Sequence, residues 1–359
     1  MKTLEYYAAK VSESDKVLEE FLNKLGFPEI REACKRTVQT PSKKIRPALL
    51  LLVADEVGNA LEDSYYPAAA ITLLHNATIT FDDVITKNSV RRNLPSAYSL
   101  YGSSGGTMLG VSLHALAHQI VWEGNLPLEM KAYLSNAFAR FCSYAAMGVG
   151  SYLVRQKNLQ EYFERARQES DPSIVINALD EEAYMENLKS RTGAIFGVAA
   201  EMGAITGGVD PEKARNFNAF GLFLGTAFQV LDDIIDFIPE SSQRAGKMSG
   251  RELIEGRVSS IVIHSLKKSK SPDLITHVLG NSEASNEELE KAVKEICDTG
   301  GLEYGMVVAS QLIDEAVKML SKANHNEQSL LYGLNLDLVI NQYKIPDGIM
   351  KSIKKGVTL

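Results

Sequence analysis

The sequence contains few cysteines and no hydrophobic run long enough to cross a membrane. Its 359 residues include only Cys34, Cys142 and Cys297, which lie far apart and form no CxxC pair. A disulfide framework or a cysteine-rich structural zinc site is therefore not expected, and a reducing compartment is favoured. The most apolar short run, residues 48 to 54, is far below the roughly 18 residues that a transmembrane helix needs. We predict no transmembrane segment.

Positive charge is not in excess either. Lysine and arginine number 38 against 45 acidic residues, which gives a net charge of −7. This balance does not support a nucleic-acid-binding surface, and we predict no nucleic-acid partner. The first twenty residues are charged throughout and lack the apolar core of a secretory signal. We therefore expect a cytoplasmic protein.

The alternation of apolar and polar residues that indicates β-strands is also missing. Glycine and proline divide the chain into segments of about 12 to 27 residues, for example at 102–106, 207–211 and 300–301, and these lengths favour helices. Neither G-x-G-x-x-G after a strand nor a Walker-type loop is present. We predict an all-α fold of about ten or more helices in a single domain over residues 1–359. The more polar stretch 152–180 is predicted to be a partly helical surface insertion.

Two groups of carboxylates follow long apolar segments. Asp82 and Asp83 end the first, and Asp232 and Asp233, with Asp236 one turn later, end the second. Asp232 and Asp236 share one helix face, where like charges repel unless a cation binds between them. Mg²⁺ takes one or two carboxylates and completes its shell with water and phosphate oxygens. The alternative is a solvated acidic helix end.

Cations and one histidine accompany these carboxylates. His75 lies on the same helix face as Asp82, although a single histidine on an apolar helix is often only a core residue. Individually, most such cations are surface charges. Together with the acidic groups, they suit a diphosphate held by Mg²⁺ on one side and by guanidinium or ammonium groups on the other. The candidate cations are Lys43, Lys44, Arg46, Arg91, Arg92, Arg191 and Lys247.

In order and spacing, these segments resemble the trans-isoprenyl diphosphate synthases, which include the farnesyl and geranylgeranyl diphosphate synthases. Residues 42–47 (SKKIRP) are similar to the family's G-K-R-x-R-P, and residues 74–83 (LHNATITFDD) to L-H-T-A-S-L-I-H-D-D. Residues 90–96 (VRRNLPS) match x-R-R-G-x-P-T, and residues 228–237 (FQVLDDIIDF) match F-Q-x-x-D-D-x-x-D-F. The segment 184–193 and residues 246–257 fit the family's K-T-G and G-K…E-G-K motifs. The resemblance implies a large helical bundle of the isoprenoid synthase type around a central cavity.

The resemblance also implies roles for individual residues. The diphosphate of isopentenyl diphosphate would be held by Lys43, Arg46, His75 and Arg92. The allylic diphosphate would be contacted by Arg91, Arg191 and Lys247, with Thr192 and Gln229 at the reaction centre. Mg²⁺, the expected cofactor, would be bound by Asp82, Asp83, Asp232, Asp233 and Asp236. A homodimer is expected on the same ground.

Several positions depart from the family pattern. The first acidic motif should end in a third aspartate, but Thr86 stands there, followed by Lys87. Val111 replaces another usual aspartate, and Ser42 and Asn93 replace glycines. His114 and His118 are spaced like a pair of metal ligands, but no third ligand is evident in the sequence, so packing roles are favoured.

We therefore expect a Mg²⁺-dependent polyprenyl diphosphate synthase of the geranylgeranyl type, a prenyltransferase of isoprenoid biosynthesis. Ala77 and Thr78, where bulky aromatics block chain growth in short-chain members of the family, are small, which predicts a C20 or longer product. Two alternatives remain open. One is a catalytically weak or regulatory subunit of a heteromeric synthase. The other is an enzyme of the same fold with an altered outcome, such as cyclisation or irregular coupling.

Overall fold

Helices account for nearly all of the ordered secondary structure in the computed structural model, which describes residues 2–58, 61–238, 249–323 and 331. The expectation of an all-α fold is confirmed. The helices are α1 (Lys2–Asn23), α2 (Pro28–Gln39), α3 (Ile45–Val57), α4 (Leu61–Ile85), α5 (Ala97–Glu123), α6 (Leu128–Glu169), α7 (Ser173–Ala178), α8 (Glu181–Leu188), α9 (Ala194–Thr206), α10 (Pro211–Asp236), α11 (Arg251–Ile254), α12 (Ser260–Lys268), α13 (Asp273–Val278), α14 (Asn286–Asp298) and α15 (Gly301–Lys322).

The described residues fall into two compact units. Unit 1 takes in those of 1–142, 195–221 and 319–332, and unit 2 takes in those of 143–194 and 222–318. The break predicted at 102–106 is a kink within α5, where Gly102 has non-helical torsion angles (φ 66°, ψ −175°). A single domain over residues 1–359 stays a prediction. Within the described residues, no helix is both long enough and apolar enough to cross a lipid bilayer.

Helix α4 is the central element of unit 1 and packs against α5, α3 and α1. The small side chains of Ala68, Ala69 and Ala70 are fully buried and allow neighbouring helices to approach closely. Ile71 and Leu74 are equally inaccessible, and burying an aliphatic side chain of that size contributes about 1.5–3 kcal/mol. This packing fixes the carboxyl-terminal end of α4, where Asp82 and Asp83 lie.

A short β-hairpin follows α4, although the sequence analysis predicts no strand pair. Strands β1 (Val90–Arg91) and β2 (Leu94–Pro95) pair antiparallel across the two-residue loop formed by Arg92 and Asn93. Both loop residues have positive φ, 53° and 61°, as a type I′ turn requires. Asparagine tolerates this conformation better than most residues, which explains how Asn93 can stand where the family has glycine.

The polar stretch 152–180 is mainly a continuation of α6, which runs for 42 residues, followed by α7. It is anchored within unit 2 by its amide and guanidinium side chains. Gln156 donates to the Gly256 carbonyl (2.9 Å), and Gln160 donates to the Gly280 carbonyl (3.1 Å). Phe163, about one turn after Gln160 on α6, is fully buried. That this segment is an insertion stays a prediction.

Candidate active site

The first acidic cluster lies at the end of α4 and is neutralised by Arg91 of the hairpin. Arg91 Nη2 donates to Asp82 Oδ2 (2.9 Å) and to Asp83 Oδ1 (2.6 Å), and its Nε donates to the same Asp83 oxygen (2.9 Å). The Asp83 side chain is only 3% exposed, whereas that of Asp82 is 32% exposed. A buried carboxylate requires a compensating charge, so the pair marks a place where cations are stabilised.

Thr86 occupies the position of the third family aspartate but points its hydroxyl at the backbone. Its Oγ1 donates to the main-chain carbonyl of Asp82 (2.8 Å), an interaction common for threonine within a helix. Thr86 adds no negative charge to the cluster, and its hydroxyl proton is taken up by the helix backbone. The first motif therefore has two carboxylates where the family pattern has three.

Two turns before Asp82 on the same helix, His75 pairs with Arg46. Arg46 Nη1 lies 3.1 Å from His75 Nε2, and the guanidinium group stacks over the Phe196 ring at 4.7 Å. A guanidinium can only donate, so Nε2 must accept and the ring proton lies on Nδ1. Nδ1 is buried and has no hydrogen-bond partner among the described residues. It is thus a donor available to a phosphate oxygen.

The histidine environment is strongly cationic. Burial is the main cause that lowers the pKa of His75 well below its usual value, and Arg46, Arg92 and Arg91 lower it further. His75 is therefore neutral at physiological pH, and an anion bound beside it would meet three guanidinium groups. Unit 1 thus contains four residues that are predicted to bind diphosphate: Arg46, His75, Arg91 and Arg92. Lys43, which is predicted to join them, is exposed just before α3.

The second group of predicted site residues is assembled in unit 2 by a π-helical turn, Lys189–Gly193. Such turns are frequent at functional sites because they redirect a few side chains within a helix. Thr192 Oγ1 donates to Gln229 Oε1 (3.0 Å), and Gln229 Nε2 donates to Asp233 Oδ1 (2.9 Å). Glycine is needed at 193 because a Cβ there would lie 2.7 Å from the Leu222 carbonyl oxygen.

Arg191 on the same turn stacks on an aromatic ring. Its Cζ lies 4.8 Å from the centre of the Tyr152 ring, an arrangement that fixes the guanidinium direction. Lys247, the remaining predicted ligand of the allylic diphosphate, lies outside the described residues.

The carboxylates of α10 differ in their surroundings. Asp232 is exposed, whereas Asp233 and Asp236 are buried. Asp233 accepts hydrogen bonds from Tyr184 and Gln229, and the backbone N–H of Gly250 donates to the Asp236 carbonyl (2.8 Å). Burial raises the pKa of Asp233 to about 7, with Asp232 adding to the rise.

Glu252 is a further carboxylate of this cluster that the sequence analysis missed. It follows the turn at Gly250, and its backbone N–H donates to Asp236 Oδ2 (3.4 Å). Burial raises its pKa to about 8, and Asp233, Asp236 and Asp232 contribute repulsion. Arg257 offsets part of this charge through an ion pair at 3.3 Å. Tyr184, the hydroxyl donor to Asp233, begins the segment 184–193 and is not among the site residues that the sequence predicts.

The donor chemistry of both clusters fits a hard divalent cation. All the charged ligands are carboxylate oxygens, the type that Mg²⁺ prefers, and soft sulfur donors are not among them. Burial is the main cause of the raised pKa values of Asp233 and Glu252, and repulsion from neighbouring carboxylates adds to it, so a bound dication would favour their charged forms. In unit 1, Asp82 and Asp83 would hold such an ion, and in unit 2, Asp232, Asp233 and Asp236 would; these ligand roles stay predictions.

The fold and these residues place the chain in a known class. A sequence model of the polyprenyl synthetase family matches residues 27–296, and the chain belongs to that family.

Individual relatives extend over most of the chain. The geranylgeranyl diphosphate synthase of Methanosarcina mazei is 28% identical over 311 residues, which are 86% of this chain and 88% of that protein. The geranylgeranyl diphosphate synthase of Saccharolobus solfataricus is 29% identical over 301 residues, 83% of this chain and 85% of that protein. The structure of a geranylgeranyl pyrophosphate synthetase from Geoglobus acetivorans superposes with a TM-score of 0.77 at 24% identity, covering 92% of this chain and 98% of that one. This last likeness concerns the fold alone.

Proposed function

We propose that this protein is a Mg²⁺-dependent prenyltransferase that condenses isopentenyl diphosphate with an allylic diphosphate. The product is a trans-polyprenyl diphosphate of C20 or longer. Family membership and relatives named geranylgeranyl diphosphate synthase support this reaction class. The metal rests on the carboxylates of the two clusters, the primer rests on the family resemblance, and the product length rests on the small side chains of Ala77 and Thr78 and on the names of these relatives.

One observation carries the proposal. In unit 1, a neutral histidine with an unused N–H at its buried Nδ1 contacts Arg46 and feels the charges of Arg91 and Arg92, and its helix ends in a pair of carboxylates suited to Mg²⁺. The guanidinium groups can bind a polyanion directly, and the carboxylates can bind the metal ion that accompanies it. A diphosphate meets both conditions.

The residues then have distinct tasks in the reaction. His75 Nδ1 and Arg46 bind and orient the diphosphate of isopentenyl diphosphate, together with Arg92 and Lys43. Arg91, which donates to Asp82 and Asp83, would contact the allylic diphosphate. Mg²⁺, when bound, stabilises the charge on the diphosphate that leaves as the allylic carbocation forms.

Unit 2 supplies the other polar groups. By the family resemblance, Arg191 would contact the allylic diphosphate, and Thr192 and Gln229 would lie at the reaction centre, where hydroxyl and amide dipoles stabilise positive charge. Apolar helix faces keep water from the carbocation. The double bond of isopentenyl diphosphate attacks, and a proton is lost from the new chain.

The test is a condensation assay with radiolabelled isopentenyl diphosphate, Mg²⁺ and a C5, C10 or C15 allylic primer. Label in an elongated product supports the proposal. Release of diphosphate from the primer without label in the product would indicate the altered reaction. No turnover by folded protein would indicate the regulatory subunit. Arg46→Gln is expected to raise the KM for isopentenyl diphosphate, whereas Arg165→Gln, on the exposed part of α6, is the matched control.

Two further expectations from the sequence stay predictions. A homodimer and a cytoplasmic location are proposed on the family resemblance and on the composition. Gel filtration with light scattering tests the first, and localisation of a tagged chain tests the second.

A further inference from the structure

A second set of metal-ligating side chains lies in unit 1, on α5 and the adjacent part of α6. His114 and His118 are one turn apart on α5, and Cys142 comes from α6. One ligand atom from each of the three residues lies within 4.8 Å of the others. His114 Nε2 is 2.8 Å from Cys142 Sγ. The structure therefore supplies the third ligand that the sequence analysis did not find.

The donor set excludes the metal proposed for the acidic clusters. Two imidazole nitrogens and a thiol sulfur are borderline and soft ligands, whereas Mg²⁺ prefers carboxylate, phosphate and water oxygens. Two histidines spaced i and i+4 on a helix present both rings to one ion, as they do in helical zinc sites. Three protein ligands with a fourth position open to water is a common zinc arrangement.

The surroundings hold the rings close to a binding geometry. The His114 and His118 ring centres are 5.1 Å apart, and His118 packs edge-on against the ring of Phe138 at 5.1 Å. Tetrahedral zinc keeps its nitrogen and sulfur ligands about 3.3–3.6 Å apart. The distance between His114 Nε2 and Cys142 Sγ is shorter than this spacing, and the other separations are within 4.8 Å, so zinc binding requires the side chains to rotate. All three residues are partly accessible, so an ion can enter from solvent.

We propose that His114, His118 and Cys142 bind one Zn²⁺ ion. The ion joins α5 to α6, and water completes its shell. On binding, the Cys142 thiol loses its proton to solvent and becomes a thiolate, so one proton is released for each ion bound. The zinc acts as a cross-link within unit 1, and it takes no part in the prenyl transfer proposed above.

The first test is zinc binding by the full-length, untagged protein after dialysis against chelator. We expect one zinc per chain by elemental analysis after zinc is restored, in the presence of excess Mg²⁺. Cys142→Ser and His118→Gln are expected to lose this zinc. The matched controls are Cys297→Ser, which alters a half-buried thiol in unit 2, and His277→Gln, which alters an exposed imidazole; both should retain it.

The second test uses Co²⁺ as a spectroscopic substitute. A thiolate-to-cobalt charge-transfer band in the near ultraviolet is expected for the wild type and for Cys297→Ser, and it should be lost in Cys142→Ser. Circular dichroism and thermal unfolding show whether each variant is folded. The proposal is overturned if the wild type binds no zinc, or if folded Cys142→Ser binds zinc and cobalt as the wild type does. Because neither readout depends on turnover, failure of the proposed reaction would leave this test intact.

Discussion

The hydroxyl of the half-buried Tyr184 donates a hydrogen bond to the buried carboxylate of Asp233 within unit 2. The bond ties α8 to α10 and fixes one Asp233 oxygen, while Gln229 fixes the other. The pKa of Tyr184 is raised well above its usual value, mainly by burial and then by Asp233, so it stays a donor throughout the physiological range. The carboxylate is thereby held in one orientation.

Tyr184→Phe should impair both stability and catalysis. It leaves a buried carboxylate oxygen without its donor, which costs about 1–3 kcal/mol in the free energy of unfolding. Asp233 and Gln229 would also lose their fixed orientation, so kcat should fall more than stability alone explains. Urea unfolding and the condensation assay measure the two effects. Tyr304→Phe, which removes a hydroxyl bonded to Glu181 at 2.8 Å, is the control; equal kcat in both variants would contradict this role.

Thr86→Asp should lower the Mg²⁺ concentration needed for half-maximal rate. The added carboxylate restores the third charge of the first acidic motif, and one extra charge near the ion contributes about 1 kcal/mol, or roughly fivefold in affinity. The Mg²⁺ dependence of the condensation rate measures this shift. Thr86→Asn has a similar size without the charge. If both variants respond to Mg²⁺ as the wild type does, the charge of residue 86 does not affect metal binding.

Thr78→Phe should shorten the product. Thr78 lies one turn before Asp82 on the same helix face and is half-buried, so a bulky ring would occupy space beside the site. The main product should shift from C20 or longer to C15, as shown by chromatography of the dephosphorylated prenols. Thr78→Val keeps the size of threonine and should leave the product unchanged. An unaltered product from folded Thr78→Phe would show that chain length is set elsewhere.

Glu252→Gln should stabilise the metal-free protein at alkaline pH. The pKa of Glu252 is raised from 4.5 to about 8, so the folded state binds more protons than the unfolded state between those values. The free energy of unfolding therefore falls as pH rises through this window. In chelator, the variant should exceed the wild type by about 1–2 kcal/mol at pH ~8.5, and the gain should vanish near pH ~4.5.

The control for that experiment is Glu255→Gln. Glu255 is an exposed neighbour paired with Arg251 and Arg257, and its replacement should give no gain that grows with pH. Mg²⁺ should stabilise the wild type more than Glu252→Gln, since the ion supplies the missing positive charge. If the stability of the wild type and of the variant depends on pH in the same way, the pKa of Glu252 is not raised in the folded protein.

The sequence predicts the features that are local to one helix. Long apolar segments ending in Asp82 and in Asp232 identify the helices and their acidic ends, because helical periodicity records which face is buried. It does not record which segments meet. Glu252 reaches Asp236 only through the turn at Gly250, and Cys142 lies 28 residues from His114.

The hairpin was missed for a different reason. Its two-residue loop is Arg92–Asn93, whereas the strongest sequence signal for such a turn is Asn-Gly or Asp-Gly. The hairpin is held by contacts to the end of α4, including Asn88 Nδ2 donating to Asp83 Oδ1 at 3.1 Å and the ion pairs of Arg91. Tertiary interactions thus overcome the weak local preference for positive φ at Arg92.

The central claim is that the acidic clusters use Mg²⁺ to drive prenyl transfer. The most direct measurement is the rate at which labelled isopentenyl diphosphate enters an elongated product as Mg²⁺ is titrated into chelator-treated protein with a C15 primer. The account predicts no product in chelator and a saturable rise with Mg²⁺, which Asp232→Asn abolishes or strongly reduces. Product formation in chelator, or a folded wild type that gives none at any Mg²⁺ concentration, would contradict it.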